Sequence, residues 1–321
     1  MSTPEPCQGR KAAAIRDAWH RRDIRIPIIE FAFQSCFLKI LQIRLLLSML
    51  KEGIRGGIEK FLIFNCLFLG LVGGCAKDID ARATGKTALT ISAAASMQNV
   101  LEDIKVLYNQ KYPQAKVTFN FGSSGSLQHQ IEQGALVDIF VSAAPQQMDE
   151  LAERKLLYND TRRDLVKNQM VLVVSKDESA IANFDDLREE STELIALGEP
   201  DSVPAGSYAR EILTNLDIID TVKQKAVYGK DVRQVVNYVA TGNTDAGIVY
   251  RTDTVNNRRI KVVAIAPETI HSPVVYPVAI TKDSKNLQAA RQMLEFLFTT
   301  EAQAVFERHG FMSVESKVTM N

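Results

Sequence analysis

The run LTISAAASMQNVLEDIKVLYNQKYPQAKVTFNFGSSGSLQHQIEQGALVDIFVSA, residues 89–143, decides the fold class. LTISA (89–93) has strand character, and SMQNVLEDIKVLYNQKYP places its apolar residues at helical spacing. KVTFNF (116–121) reads as a second strand, GSSGS as a turn and LQHQIEQG as a helix. DIFVSA (138–143) is a third strand, followed by PQQMDELAERK as a third helix. Strand and helix in strict alternation predict a parallel sheet covered by helices.

Outward from that run the theme continues. MVLVVS, ELIALG, DAGIVY and KVVAIA are strand candidates after Asn168, interleaved with the helices AGSYAREILTNL and DVRQVVNYVATG. NLQAARQMLEFLFTTEAQAVFERHG reads as two helices stopped by Gly310. No internal repeat or low-complexity tract interrupts the pattern. A chain of 321 residues with 46% hydrophobic content can bury two cores. The expected architecture is two α/β lobes with a ligand in the cleft between them.

The zero formal net charge averages two unlike parts. Residues 1–74 carry 11 basic and 6 acidic side chains, which leaves 27 basic and 32 acidic in the remainder. A mildly acidic body lacks the basic surface that nucleic-acid binding needs, so no nucleic-acid partner is expected. All four cysteines lie early, at Cys7, Cys36, Cys66 and Cys75, so the body has neither disulfide nor thiolate metal site. His129, His271 and His309 show no metal-ligand spacing.

The N-terminal region reads as an address. FLIFNCLFLGLV (61–72) is apolar, preceded by Lys51, Arg55 and Lys60 and followed by Gly73-Gly74-Cys75. A basic flank, a short apolar core and small residues make a secretory signal. Twelve residues fall short of the roughly 20 that a spanning helix needs. Small residues before a lone cysteine resemble the lipobox of bacterial lipoproteins, with cleavage before Cys75 and lipid on its sulfur. A buried helix or a plain transmembrane anchor is the alternative. Residues 1–48 fit no part of such a signal, whereas Met49 with Lys51 and Arg55 would open one normally. A translation start near Met49 is expected, against a genuine amphipathic extension. The reading therefore divides the chain into an extension (1–48), a lipoprotein signal (49–74) and a polar linker (75–86).

Several helix starts share one chemistry. Ser96 of AAASMQ stands where a strand gives way to a helix. Ser123, Ser124 and Ser126 sit among glycines in FGSSGSLQ. DSVPAGSYAREIL places Pro204 in a first helical turn ahead of Ala205, and Asp231 of GKDVRQVV is a natural N-cap before Val232. Helix starts expose N–H groups without intrahelical partners and carry partial positive charge, so they bind anions. Taken singly, each has a plainer explanation: a serine at a helix start is usually a cap, and Gly-rich loops are common turns. GSSGS lacks the lysine of a P-loop and the spacing of a dinucleotide fingerprint. Tyr250, ending DAGIVY, would by default be a half-buried strand tyrosine.

As a set, however, AAAS, FGSSGSL, DIFVSA, VPAGSYA, DVR, GIVY and YPVAI make residues 89–311 resemble the periplasmic molybdate-binding proteins of ABC transporters, type II periplasmic solute-binding proteins. The resemblance implies two similar α/β lobes, each with a central mixed sheet: lobe 1 from 87–168 and 277–321, lobe 2 from 169–276. It implies molybdate, and tungstate with it, held by the Ser96 and Ser124 hydroxyls, the Ala205 and Val232 amides and the Tyr250 hydroxyl. Slippage by one residue would substitute Ser123 for Ser124. It further implies no cofactor, direct metal coordination or catalysis. The expected protein is an exported, lipid-anchored monomer in the periplasm or on the outer face of the cytoplasmic membrane. It would close around its anion and deliver it to an ABC transporter permease, with hinges near Asn168 and Pro277.

The chemistry of the mapped residues agrees. Molybdate is a dianion with no proton to donate at neutral pH, so its site needs donors only, which Ser, Tyr and backbone N–H supply. Protonated phosphate would instead reward a carboxylate acceptor. One rival is a same-fold receptor for another solute, such as tungstate, sulfate or an organic anion. A remoter one is a serine hydrolase, for which GSSG is one residue short of a nucleophile elbow and only His129 lies near enough to act as base.

Overall fold

The computed structural model describes residues 87–177 and 180–314. The extension (1–48), the signal (49–74), Cys75 with its linker and residues 315–321 lie outside the described residues.

The first sheet has six strands: β1 (Thr87–Ala94), β2 (Ala115–Gly122), β3 (Ile139–Val141), β4 (Arg163–Lys167), β10 (Val275–Ile280) and β11 (Met312–Ser313), in spatial order β11-β4-β10-β3-β1-β2. β1 pairs in parallel with β2 and β3, while β10 runs antiparallel to β3 and β4. The second sheet contains β5 (Met170–Ser175), β6 (Ile195–Gly198), β7 (Ala226–Gly229), β8 (Ala246–Tyr250) and β9 (Ile260–Ile265), in order β7-β6-β8-β5-β9. β6 is parallel to β7 and β8, and β5 is antiparallel to β8 and β9. Each lobe is thus built on a mixed sheet, as in type II periplasmic binding proteins. The alternation of strand and helix accounts for the parallel pairs, and the strands at the crossovers supply the antiparallel ones.

Helices α1 (Gln98–Lys111), α2 (Ser124–Glu132) and α3 (Pro145–Glu153) follow β1, β2 and β3. α4 (Pro204–Asn215), α5 (Ile219–Lys225) and α6 (Val232–Ala240) belong to the second lobe, and α7 (Leu287–Leu297) and α8 (Thr300–Arg308) to the first. Each long helix buries one stripe: Val100, Leu101, Ile104 and Tyr108 on α1, and Val232, Val235 and Val239 on α6. Burying such a side chain contributes about 1.5–3 kcal/mol. β5, paired on both edges with β8 and β9, buries Met170 through Val174 without interruption, as a strand covered on both faces must. Gly310 takes a φ of +85° just beyond α8, the left-handed turn that ends a helix.

The chain crosses between sheets twice. The first crossing is Asn168–Gln169, between β4 and β5. The second occupies 266–274, between β9 and β10, earlier than the expected boundary at Pro277. Pro277 instead lies inside β10, paired with Asp164, at a register shift after Tyr276. Proline lacks the N–H of a regular ladder, so its strand accommodates it at an irregularity that resembles a boundary in the sequence. The two crossings run side by side, the Asn168 amide donating to the Val274 carbonyl at 3.0 Å.

Candidate functional site

Three helix starts from two lobes point at one small cavity. Ser123 and Ser124 arrive with α2, Pro204 and Ala205 with α4, and Asp231 and Val232 with α6; Ala94, Ala95, Ser96, Ala143 and Tyr250 complete the wall with Gly122 and Val203. The cavity, about 10 Å³, is close to the size of one water and excludes an organic metabolite. All five residues singled out as ligands, Ser96, Ser124, Ala205, Val232 and Tyr250, line it, and all are buried.

The local structure explains which groups face inward. Ser123 is the N-cap of α2, its Oγ accepting from the Ser126 amide at 3.3 Å. Capping therefore falls to Ser123, while Ser124 is fully buried and accepts from the Ala143 amide at 2.9 Å, which leaves its hydroxyl proton uncommitted. Pro204 opens α4 with no side-chain cap, so the Ala205 amide stands in the first turn, where no intrahelical acceptor exists. Asp231 caps α6 through the Gln234 amide at 2.9 Å, and Val232 follows it directly. The Asp231 carboxylate is thereby held by its own helix.

Tyr250 ends β8 with its hydroxyl buried and without a hydrogen-bond partner. Burial drives its pKa well above the usual phenol value, with the neighbouring Tyr276, Tyr208 and Asp253 adding to it. It is therefore a fixed donor. An unmade hydrogen bond of this kind costs about 1–3 kcal/mol, a penalty that an arriving acceptor relieves.

The lobes touch around the cavity. The Gly125 amide of α2 donates to the Ser202 carbonyl at 3.0 Å, and Arg233 Nη1 of α6 donates to Asn99 Oδ1 of α1 at 3.2 Å. A larger polar cleft of about 450 Å³ adjoins the cavity at Ser96, lined among others by Asn99, Arg233, Asp253, Arg259 and His309. Burial pushes the Asp253 carboxyl up to about 7, although the Tyr250 amide and Arg233 both oppose the shift.

Several participants carry no local sequence signal. Tyr276, in the YPVAI run, places its hydroxyl 3.0 Å from Ser96 Oγ, and Asn168 Nδ2 donates to that hydroxyl at 3.2 Å. Their partners are 180 and 108 residues away in sequence, beyond the reach of periodicity. Among the described residues no group of three His, Cys, Asp or Glu could hold a metal ion. His129 Nδ1 lies 3.1 Å from Glu132 on the outer face of α2.

Two α/β lobes clasped over a small donor-lined cavity define an extracytoplasmic receptor for a small solute. The chain belongs to the bacterial extracellular solute-binding proteins, whose family model matches residues 89–312. It is 46% identical over 257 residues to a Bacillus subtilis protein, YvgL, provisionally described as an ABC transporter substrate-binding lipoprotein, covering 79% of this chain and 98% of that protein. Over 228 residues it is 38% identical to the molybdate-binding protein ModA of Haemophilus influenzae, covering 70% of this chain and 89% of the relative. A solved substrate-binding domain from Clostridium difficile, provisionally described as belonging to a molybdenum ABC transporter, is 48% identical with a TM-score of 0.58, covering 71% of this chain and 100% of that one.

Proposed function

We propose that this protein is a molybdate receptor that also accepts tungstate and delivers the captured anion to the permease of an ABC transporter. The carrying observation is the Tyr250 hydroxyl, buried, protonated and unpartnered in a cavity whose other polar groups are serines and helix-start amides. Such a wall offers a fully deprotonated tetrahedral dianion only donors. The ligands in this reading are Ser96 and Ser124 from the first lobe, and Ala205, Val232 and Tyr250 from the second. Helix dipoles offset the charge without a lysine or arginine at the ion. Charge-assisted bonds are worth about 1.5–3 kcal/mol each, so five of them near the upper end offset an association cost of at least about 4 kcal/mol and reach micromolar binding. The names of the relatives, ModA among them, support the same ligand class.

In this reading ligands from both lobes make anion binding favour the closed form, because only there are all five donors met. Asn168–Gln169 and 266–274 are the hinges. The protein is a monomer held to the membrane by lipid on Cys75, a reading that the description of YvgL supports. In this reading it performs no catalysis: His129 lies exposed to solvent, whereas Ser124 is fully buried with its Oγ accepting from the Ala143 amide. Isothermal titration with molybdate, tungstate, sulfate and phosphate tests the assignment. Tight one-to-one binding of the first two, with sulfate and phosphate silent, is expected. Absence of heat with molybdate from folded protein would overturn it.

A further inference from the structure

The molybdate reading leaves one question of selectivity open. A serine hydroxyl can accept as well as donate, so two serines in the wall would not by themselves bar a protonated oxyanion. Hydrogenphosphate could give its proton to either. Ser124 is disfavoured in that role, because one of its two Oγ lone pairs already accepts from the Ala143 amide at 2.9 Å and its proton is turned to the cavity. Ser96 has no backbone donor of this kind. The group facing it is the Tyr276 hydroxyl, at 3.0 Å, with Tyr276 itself fully buried.

Either hydroxyl can donate in that bond, and its far end favours one direction. Asn168 Oδ1 accepts from the Gln169 amide at 2.9 Å, which fixes the orientation of the side-chain amide. Asn168 Nδ2, which can only donate, then faces Thr252 Oγ1 at 2.8 Å and the Tyr276 hydroxyl at 3.2 Å. With a lone pair of the Tyr276 oxygen engaged by this donor, its own proton is free to point at Ser96. Ser96 Oγ accepts it, and the serine proton is left for the cavity. Hydrogen bonds in such a chain polarise one another in the same sense. The anion at the end reinforces the order, since it can only accept.

We propose that Tyr276 is a specificity-determining positioning residue: it turns the Ser96 proton toward the anion, and so disfavours oxyanions that carry a proton. The chain of bonds runs from Asn168 at the first crossing, through Tyr276 at the start of β10, to Ser96. It depends on β4, β10 and the turn after β1 standing in register. This inference rests on the molybdate reading, and the two fail differently.

The test is titration of wild type, Tyr276→Phe, Ser96→Ala and the double variant with molybdate and with phosphate under mildly alkaline conditions, where phosphate keeps one proton. Phenylalanine retains the ring that packs edge-on to Tyr250 at 5.7 Å and to Phe311 at 5.5 Å. The expected result is about five- to tenfold weaker molybdate binding for Tyr276→Phe, the worth of one net hydrogen bond. Preference for molybdate over phosphate should fall further, by about another tenfold, and the substitution should change nothing once Ser96 is alanine. A loss equal in both backgrounds, or an unchanged preference, would overturn the role, because a merely structural tyrosine acts on both ligands alike. Wild type that binds no molybdate would sink the underlying reading and this inference with it. If Tyr276→Phe does not fold, Asn168→Ala removes the orienting amide and keeps the phenol. It must then show the same relaxed preference, in smaller degree, for the proposal to stand.

Discussion

Replacing Gly125 by alanine should separate binding from stability, moving them in opposite directions. A Cβ built on Gly125 comes within 2.7 Å of the Ser202 carbonyl oxygen and 2.9 Å of Ser202 Cα. Both are backbone atoms of the opposite lobe and cannot rotate away. Ordinary contact begins near 3.4 Å, so the lobes must part by about 0.7 Å at this point. That displacement stretches the 3.0 Å bond from the Gly125 amide to Ser202 beyond hydrogen-bond range and forfeits about 1 kcal/mol. It also draws the Ala205, Val232 and Tyr250 donors back from an anion seated on Ser96 and Ser124. The cost there is at least one charge-assisted bond, about 1.5–3 kcal/mol. The combined loss of about 2.5–4 kcal/mol weakens molybdate binding by about 50- to 1000-fold. The open protein feels none of this, because Ser202 is then remote. Alanine in the first turn of α2 instead relieves part of the entropic cost of glycine in a helix, adding up to about 1 kcal/mol. Titration calorimetry and thermal melting of ligand-free protein read the two effects. Wild-type affinity in Gly125→Ala would show that closure does not bring Gly125 against Ser202, and would refute the reasoning.

Tyr250→Phe removes a hydroxyl that has no hydrogen-bond partner within the protein, so the variant should melt no lower than wild type while molybdate binding falls about 10- to 150-fold; equal affinities would exclude the hydroxyl as a ligand. Ser124→Ala should abolish measurable molybdate binding in protein that still melts cooperatively, and esterase turnover lost on the same change would favour a hydrolase instead. Asp253 gives a pH signature. Its folded pKa, pushed up to about 7 by burial, lies above the ordinary carboxylate value of 3.8, so the folded state holds the proton more tightly and stability declines as pH rises between the two values. The penalty is complete above the folded pKa, with an upper limit of about 4 kcal/mol that partial exposure reduces. Asp253→Asn should lack this decline in urea titrations across the window, and parallel pH profiles for variant and wild type would contradict it.

The parts of the molecule legible in the sequence are those fixed by neighbours along the chain. β1, β2 and β5 declared themselves as apolar runs, and α1, α4 and α6 by periodicity. β4 (RDLVK) and β7 (AVYG) are short and mixed in character, and they become strands because the neighbouring strands offer a ladder edge. α2 begins at Ser124, inside GSSGS, three residues earlier than its apolar pattern suggests, because Ser123 caps it. α5 buries only Val222 and so carries almost no stripe to read.

The site divides along the same line, and the division has a physical cause. The donors proposed for it are first-turn amides and the serines beside them, and a helix start is a local event written in local sequence. What directs those donors is not local. Ser96 takes its polarity from Tyr276, whose orientation depends on Asn168, and Asn168 also reaches Thr252, two residues beyond Tyr250 in the second lobe. One side-chain amide at a crossing strand therefore ties Ser96 of one lobe to the segment that follows Tyr250 of the other. A hinge built this way does more than permit rotation. Any opening that shifts Asn168 relative to β10 lengthens the 3.2 Å bond that orients the phenol, and with it loosens the hold on Ser96. Release of the anion and loss of the donor-only wall would then be one motion, which suits a receptor that must bind selectively when shut and let go when opened.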